Sequence, residues 1–133
     1  MAEASLAGTC ELRLRAKAAG AVRLKARWTP ADGGAPLAAE SNPIQVSDSS
    51  PRILWADLHG HSSRSDGTGT PADYYRYARE VAALDVAALT DHDHWGILPL
   101  DRHPEILAEI RAAARRYDEP GRFLALLGFE WTS

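Results

Sequence analysis

The sequence predicts an α/β protein in which a small antiparallel β-module precedes a β-α-β-α-β unit with parallel strands. Three observations predict it. Apolar and polar residues alternate with period two between residues 10 and 28, and beyond residue 50 apolar runs alternate with helix-like segments. A cluster of histidines or acidic residues then follows each of three apolar runs.

The first elements come from the alternation. Cys10, Leu12, Leu14 and Ala16 oppose Glu11, Arg13, Arg15 and Lys17, and Val22, Leu24, Ala26 and Trp28 oppose Arg23, Lys25 and Arg27. Period two places each set on one side of a strand, so two strands with one buried face are expected over 10–18 and 21–28. Ala19-Gly20 between them is the expected hairpin turn. A loop, TPADGGAP, and a short run Pro43-Ile44-Gln45-Val46 follow. The basic side of this hairpin reads as a solvated face whose charges guard a sheet edge. Ser47 to Pro51 reads as a linker, so residues 1–50 form a partial β-rich module with its linker and residues 51–133 a second domain.

Strands and helices alternate in that second domain. Arg52 to Leu58 is the first expected strand. Thr70 is an N-cap residue, Pro71 suits the first helical position and Asp73 the first turn, so a helix is expected from Pro71 to about Leu84. Asp85 to Thr90 is nearly all apolar, as in a strand covered on both faces. Pro104 opens a second helix, with Ile106, Leu107, Ile110 and Ala114 at helical spacing, ending near Tyr117. Phe123 to Leu127 is the third strand. The alternation predicts parallel strands with helices outside them.

Composition limits the chemistry. With 133 residues, 45% hydrophobic and 25% charged, the chain can build a core. Its formal net charge of -3 gives no reason to expect a nucleic acid or an anionic membrane as partner. The N-terminus lacks the charged start and apolar stretch of a secretory signal, and no apolar run approaches the ~20 residues of a bilayer span, so the expected location is the cytoplasm. The single cysteine, Cys10, excludes an internal disulfide framework and a thiolate cage, leaving nitrogen and oxygen to hold any metal.

The polar clusters are placed where such ligands would converge. ADLHGHSSRSDG (56–67) follows the first strand, TDHDH (90–94) the second and GFEW (128–131) the third. All three lie at C-terminal strand ends, where parallel α/β folds gather their functional loops. In an extended segment His59 and His61 point to one side, with Gly60 between them keeping the backbone clear. With Asp66, His92 and Glu130 they make a candidate metal-binding set of imidazole and carboxylate, suited to zinc, manganese or iron rather than calcium. Asp57 is placed either to orient an imidazole or to tie up a loop amide. Asp91 and Asp93 flank His92; one of them could support a ligand, and Asp93 could equally cap the following turn. His94 reads as a surface histidine or a substrate contact. Gly67 and Gly69 permit a tight turn, without the spacing or lysine of a phosphate loop.

DLHGHSSRSDG, ALTDHDHW and ALLGFEW, in that order over residues 52–133, resemble the first three motifs of the PHP (polymerase and histidinol phosphatase) superfamily. A β-module feeding into ILWADLHGHS is similar, more narrowly, to a branch of large PHP proteins whose functions are mostly unassigned. The resemblance implies a distorted, TIM-like barrel of seven β/α units, of which this chain would carry the first three. It also implies up to three divalent ions and phosphoesterase activity. By resemblance His59 and His61 hold one ion, Glu130 bridges it to a second, and Asp66 with His92 holds a third. The family's later ligands, two histidines from middle strands and an Asp-x-His pair, have no counterpart here. A closed barrel takes ~250 residues, so the expectation is a truncated product carrying part of a site.

The chemistry expected of the complete site is metal-assisted hydrolysis, since clustered divalent ions lower the pKa of a bound water and neutralise charge on a phosphoryl group. Glu130, His59 and His61 are the residues expected to carry it, on a phosphoester or other small-molecule substrate. An amidohydrolase-like reaction is the enzymatic alternative, and a degenerate domain acting as a binding module the non-catalytic one. By itself the chain is expected to hold one or two ions loosely and to turn over no phosphoester, because five ligands give each of two ions only two or three donors.

Overall fold

A computed structural model describes residues 12–49, 51–93, 100 and 102–131. The described residues divide into two compact units, 12–52 and 53–131. The expectations for His94 and for the strand start at Cys10 lie outside the described residues.

The first unit is a bulged antiparallel ribbon rather than the expected hairpin. Residues 12–18 form no strand, and Gly20 opens β1 (Gly20–Val22) with φ 136° instead of closing a turn. β1 pairs with β4 (Ile44–Val46), and β2 (Lys25–Trp28) with β3 (Leu37–Glu40). The stronger turn chemistry lies in the loop between β2 and β3. There the Gly33 amide donates to the Pro30 carbonyl at 3.2 Å, and the Gly34 amide to the Asp32 carboxylate at 3.0 Å. Ala-Gly has no comparable preference for a two-residue hairpin turn.

Pairing runs Lys25↔Glu40 on one side of the break and Val22↔Ile44 on the other, so the β4 side has one extra residue. Pro43, which cannot donate to a ladder, falls in that bulge. Ser41 closes it by donating its amide to the Leu24 carbonyl at 2.9 Å and accepting the Leu24 amide on Oγ at 2.9 Å. The alternation does sort the faces, with Trp28 paired to Leu37 and Lys25 to Glu40 on the other side. Trp28 and Leu37 are nonetheless 60% and 64% exposed. A two-stranded ribbon has no layer of its own to cover an apolar face.

The second unit is built in the order β5 (Ala56–Asp57), α1 (Pro71–Glu80), β6 (Val86–Leu89), α2 (Pro104–Tyr117) and β7 (Leu124–Leu127). Its three strands are parallel, in the order β5-β6-β7, with Ala56↔Val86↔Leu124 in register. One core joins both helices to the sheet. Tyr75 and Ala78 of α1 and Ile106, Ile110, Ala113, Ala114 and Tyr117 of α2 pack on Ala87 and Leu89. Full burial of a side chain such as Leu89 or Ile110 contributes roughly 1.5–3 kcal/mol. Tyr75 adds a polar tie: its hydroxyl donates to the Leu126 carbonyl at 2.6 Å and accepts the Leu89 amide at 3.3 Å. Burial raises its pKa above the ordinary phenol value.

The expected coverage on both faces holds for β6, where Ala87, Ala88 and Leu89 are all buried, and fails for β7 at the sheet's edge. Leu124 and Leu126, on the face away from that core, are 48% and 38% exposed, and Leu127, on the core side, is 42% exposed. The first strand is also shorter than Arg52–Leu58. Its pairing starts where the Trp55 carbonyl accepts the Asp85 amide at 2.8 Å, and Ile53, Leu54 and Leu58 stay exposed at the sheet's edge.

Helix α1 starts as expected and stops earlier. Thr70 accepts the Asp73 amide at 3.1 Å, and Asp73 accepts the Thr70 amide at 3.0 Å, a reciprocal cap with Pro71 at the first helical position. The helix closes when the Ala82 and Leu84 amides donate back to the Tyr77 and Ala78 carbonyls, both at 2.9 Å, with Ala83 at φ 53°. This closure reverses the chain so that Asp85 meets Trp55.

Two outcomes are expected. An alanine in the left-handed region costs roughly 1–2 kcal/mol, which glycine escapes, so Ala83→Gly should raise the free energy of unfolding in denaturant titrations by about 1 kcal/mol. Asp73 is held at a pKa of about 2, below the usual 3.8, first by the Thr70 hydroxyl, then by the Thr70 amide and Arg76. A depressed carboxylate stabilises the fold above its unfolded pKa and loses that effect as pH falls through the folded one. The stability difference between the wild type and Asp73→Asn should therefore shrink between about pH 4 and pH 2.

Candidate metal centre

The site forms where pairing continues past the three strand ends. Beyond β5 and β6, the Thr90 amide donates to the Gly60 carbonyl at 2.7 Å, and the Gly60 amide to Thr90 Oγ1 at 3.2 Å. Beyond β6 and β7, the Glu130 amide donates to the Asp91 carbonyl and the Asp93 amide to the Glu130 carbonyl, both at 3.0 Å, making His92 and Glu130 bridge partners. These bonds set His59 and His61, His92, and Glu130 side by side.

The loop carrying Asp66 is folded onto this edge by a buried carboxylate. Asp91 accepts from the Ser62 amide at 2.7 Å, the Ser62 hydroxyl at 2.8 Å and the Ser65 hydroxyl at 2.6 Å. The Gly67 amide donates to the Ser62 carbonyl at 3.0 Å, and Arg64 pairs with Glu109 of α2 at 2.6 Å. Gly67 passes so close to residue 61 that an added Cβ would strike the His61 carbonyl and come to 2.9 Å from the Ser62 nitrogen. Gly60 is similarly constrained, because its Cβ would lie 2.6 Å from the Tyr74 hydroxyl, itself bonded to the Ala88 carbonyl at 3.0 Å.

Two donor groups result, sharing His61. His59 Nε2, His61 Nε2 and Glu130 Oε2 form a triangle with every edge 3.2 Å. Donors ~2.1 Å from one ion lie about 3.4 Å apart at tetrahedral angles and about 3.0 Å apart at right angles, so the triangle has the dimensions of a first coordination shell. The second group is His61, Asp66 and His92. Asp66 Oδ1 is 3.3 Å from His61 Nδ1, and its Oδ2 is 3.8 Å from His92 Nε2. Glu130 Oε2 stands between the groups, 3.7 Å from His92 Nδ1. The rings of His61 and His92 stack with centroids 4.8 Å apart. The cluster opens outward on one side: the His59 side chain is 66% exposed and that of His92 only 11%.

All five proposed ligands are thus brought to one edge. Of the supporting residues, Asp57 accepts the amide of His59 at 3.2 Å, which makes it a loop tie rather than an imidazole acceptor. Asp91 is the buried anchor described above, and Asp93 joins through its backbone. His103, without ligand spacing, lies 2.9 Å from Glu105 at the start of α2. Ser62 and Ser65 were missed. Nothing in HSSRS ranks these serines above others; the fold sets them against Asp91, whose buried carboxylate requires short hydroxyls.

An α/β unit with an imidazole–carboxylate cluster on its C-terminal strand edge is therefore what fold and site define. No family model matches the chain, and no solved structure matches it. It is similar to an uncharacterized protein of Chlamydia muridarum (strain MoPn / Nigg), 33% identical over 94 residues, 70% of this chain and 14% of that protein. An uncharacterized protein of Chlamydia trachomatis serovar D is 32% identical over 94 residues, and one of Chlamydia pneumoniae 31% over 93. The chain spans 14% of the length of each of these relatives. No helix among the described residues is long and apolar enough to cross a membrane.

Gly67→Ala should force the 61–67 loop off the strand edge. We expect zinc affinity, read by chelator competition, to fall by about tenfold or more, the scale on which loss of an orienting contact acts.

Proposed function

We propose that the protein is a metal-dependent hydrolase acting on phosphoesters, built on the first β/α units of a PHP-type, TIM-like barrel. The observation that carries the reading is the 3.2 Å triangle of His59 Nε2, His61 Nε2 and Glu130 Oε2. Two ring nitrogens and an anionic oxygen at that separation repel one another unless a proton or a cation lies among them. The donor set fits zinc, manganese or iron. Asp66 and His92, adjoining through Glu130, would serve a second ion. A divalent ion held by these residues would supply hydroxide at neutral pH and charge for a phosphoryl group.

The chain's own residues take the remaining roles. Glu130 supplies the negative charge shared between the two groups, and His59, at the open rim, leaves a substrate access to the donors from solvent. Arg64 is paired with Glu109 at 2.6 Å and is committed to α2 rather than to a phosphoryl group. A serine nucleophile is disfavoured by geometry. Ser65 touches His61 at 3.2 Å, but its proton goes to Asp91 at 2.6 Å, the reverse of the order in which an acid orients a histidine and the histidine activates a serine.

The test combines zinc and manganese titration with a panel of chromogenic phosphomonoesters, phosphodiesters and amides, assayed on the full-length protein. Paired substitution His59→Ala with His61→Ala should abolish ion uptake on the triangle. It should also lower phosphoester hydrolysis by more than about a hundredfold, beyond what losing an orienting residue alone costs. Hydrolysis confined to amides would overturn the substrate class, and ester hydrolysis that survives the double substitution would overturn the site.

A further inference from the structure

His61 belongs to both donor groups, and it cannot serve both in the same way. Its Nε2 is a corner of the triangle with His59 and Glu130, while its Nδ1 faces Asp66 Oδ1 at 3.3 Å and Ser65 Oγ at 3.2 Å. A neutral imidazole has one lone pair and one N–H. Which nitrogen holds the proton decides which group His61 can join as a ligand.

We propose that Ser65, oriented by Asp91, is a positioning residue that sets the tautomer of His61 and thereby assigns His61 to the triangle. The inference rests on the metal-centre reading for its consequence but not for its geometry. A hydroxyl has a single proton, and that of Ser65 goes to Asp91 Oδ1 at 2.6 Å. The carboxylate has no other choice but to accept, because it also takes the amide and hydroxyl of Ser62 at 2.7 and 2.8 Å. Ser65 therefore turns only a lone pair toward His61, and Nδ1 must be the N–H. Asp66 Oδ1 is a second acceptor for the same proton. The lone pair is left on Nε2, directed at His59 and Glu130.

The relay ranks the two groups. The triangle retains three donors, two nitrogens and an oxygen. The second group keeps only Asp66 and His92 from its own three, since the His61 nitrogen facing it is protonated. A single ion on the triangle is then the first to bind, and a second ion needs donors beyond Asp66 and His92. An imidazole whose other nitrogen donates to a fixed acceptor is also the more basic ligand, with its ring plane held.

The tautomer can be read without any metal, by long-range proton–nitrogen correlation spectra of the metal-free chain in mildly alkaline buffer, where an imidazole is neutral. We expect His61 to be protonated on Nδ1 in the wild type. In an Asp66→Ala background, where no carboxylate is left to hold the Nδ1 proton, Ser65→Ala should shift the ring toward the other tautomer and Ser65→Thr, which keeps the hydroxyl, should restore it. With Asp66 in place Ser65→Ala should weaken zinc binding roughly tenfold to a hundredfold. Ser62→Ala is the control: it removes a different hydroxyl from the same Asp91 and touches no imidazole, so it should lower thermal stability and leave the tautomer unchanged. A wild-type His61 protonated on Nε2 would overturn the proposal. So would a Ser62→Ala variant that, in the Asp66→Ala background, shifts the tautomer as far as Ser65→Ala, because the effect would then belong to loop integrity. Loss of the Nδ1–H form in Ser65→Ala in that background, with no zinc taken up by the wild type, would uphold the relay and sink the metal centre instead.

Discussion

A carboxylate withdrawn from water must have its lone pairs filled, or the cost of burial reaches several kcal/mol. Asp91 meets that condition with donors drawn entirely from the 62–65 segment, 26 and 29 residues away in sequence. The rest of the site depends on this one demand. Because Asp91 directly follows the β6 ladder, satisfying it pins the loop after β5 against the end of β6. Asp66 follows Ser65 in that loop and His92 follows Asp91, so the residues next to the anchor are the ones brought together.

Parallel pairing supplies the other half of the geometry. The three strands are short, from two to four residues, and their ladders alone would fix little. The continuation of backbone bonds through Gly60–Thr90 and Asp91–Glu130–Asp93 carries the register outward by several residues. A register slip by one residue would turn each of these side chains to the opposite face. Tyr74 and Tyr75 resist such a slip from the helix side, since each places its hydroxyl on a carbonyl of a particular strand residue, Ala88 and Leu126.

Much of this edge was legible in the sequence, and for a physical reason. Apolar runs punctuated by Thr70-Pro71 and Pro104 mark elements through local chemistry, and polar residues gathered behind strands stand out because burying them unpaired is costly. The β-module was less legible. Alternation over 10–18 and 21–28 sorts residues into faces but does not choose a pairing partner. The partner was chosen by turn chemistry at Pro30–Gly34 and by a bulge at Pro43, which lie outside the alternating runs. Nor does alternation say whether an apolar row is covered: Trp28 reads as buried and is 60% exposed. At the site, ligand types could be read, whereas Ser62 and Ser65 could not be ranked above other serines until a fold set them against Asp91. Asp57 carried two readings in the sequence because both lie within reach of an extended strand, and only the turn at His59 separates them.

Five titratable side chains gathered on one edge go against the pattern elsewhere in this unit, where apolar contacts and capped helices agree with the local sequence. Such local disagreement is what functional sites impose on otherwise consistent sequences. Here it has a thermodynamic consequence. Asp91 is satisfied whether or not an ion is present, so the scaffold does not need the ion to fold the loop. The triangle of His59, His61 and Glu130 does need a proton or a cation among its donors, and a neutral imidazole can supply that proton as its one N–H. An ion placed there, as proposed, would have to displace that proton. A ligand that binds the folded state alone also stabilises it. The edge is thus arranged so that the anchor alone, through Ser62 and Ser65, sets the geometry in which the donors stand.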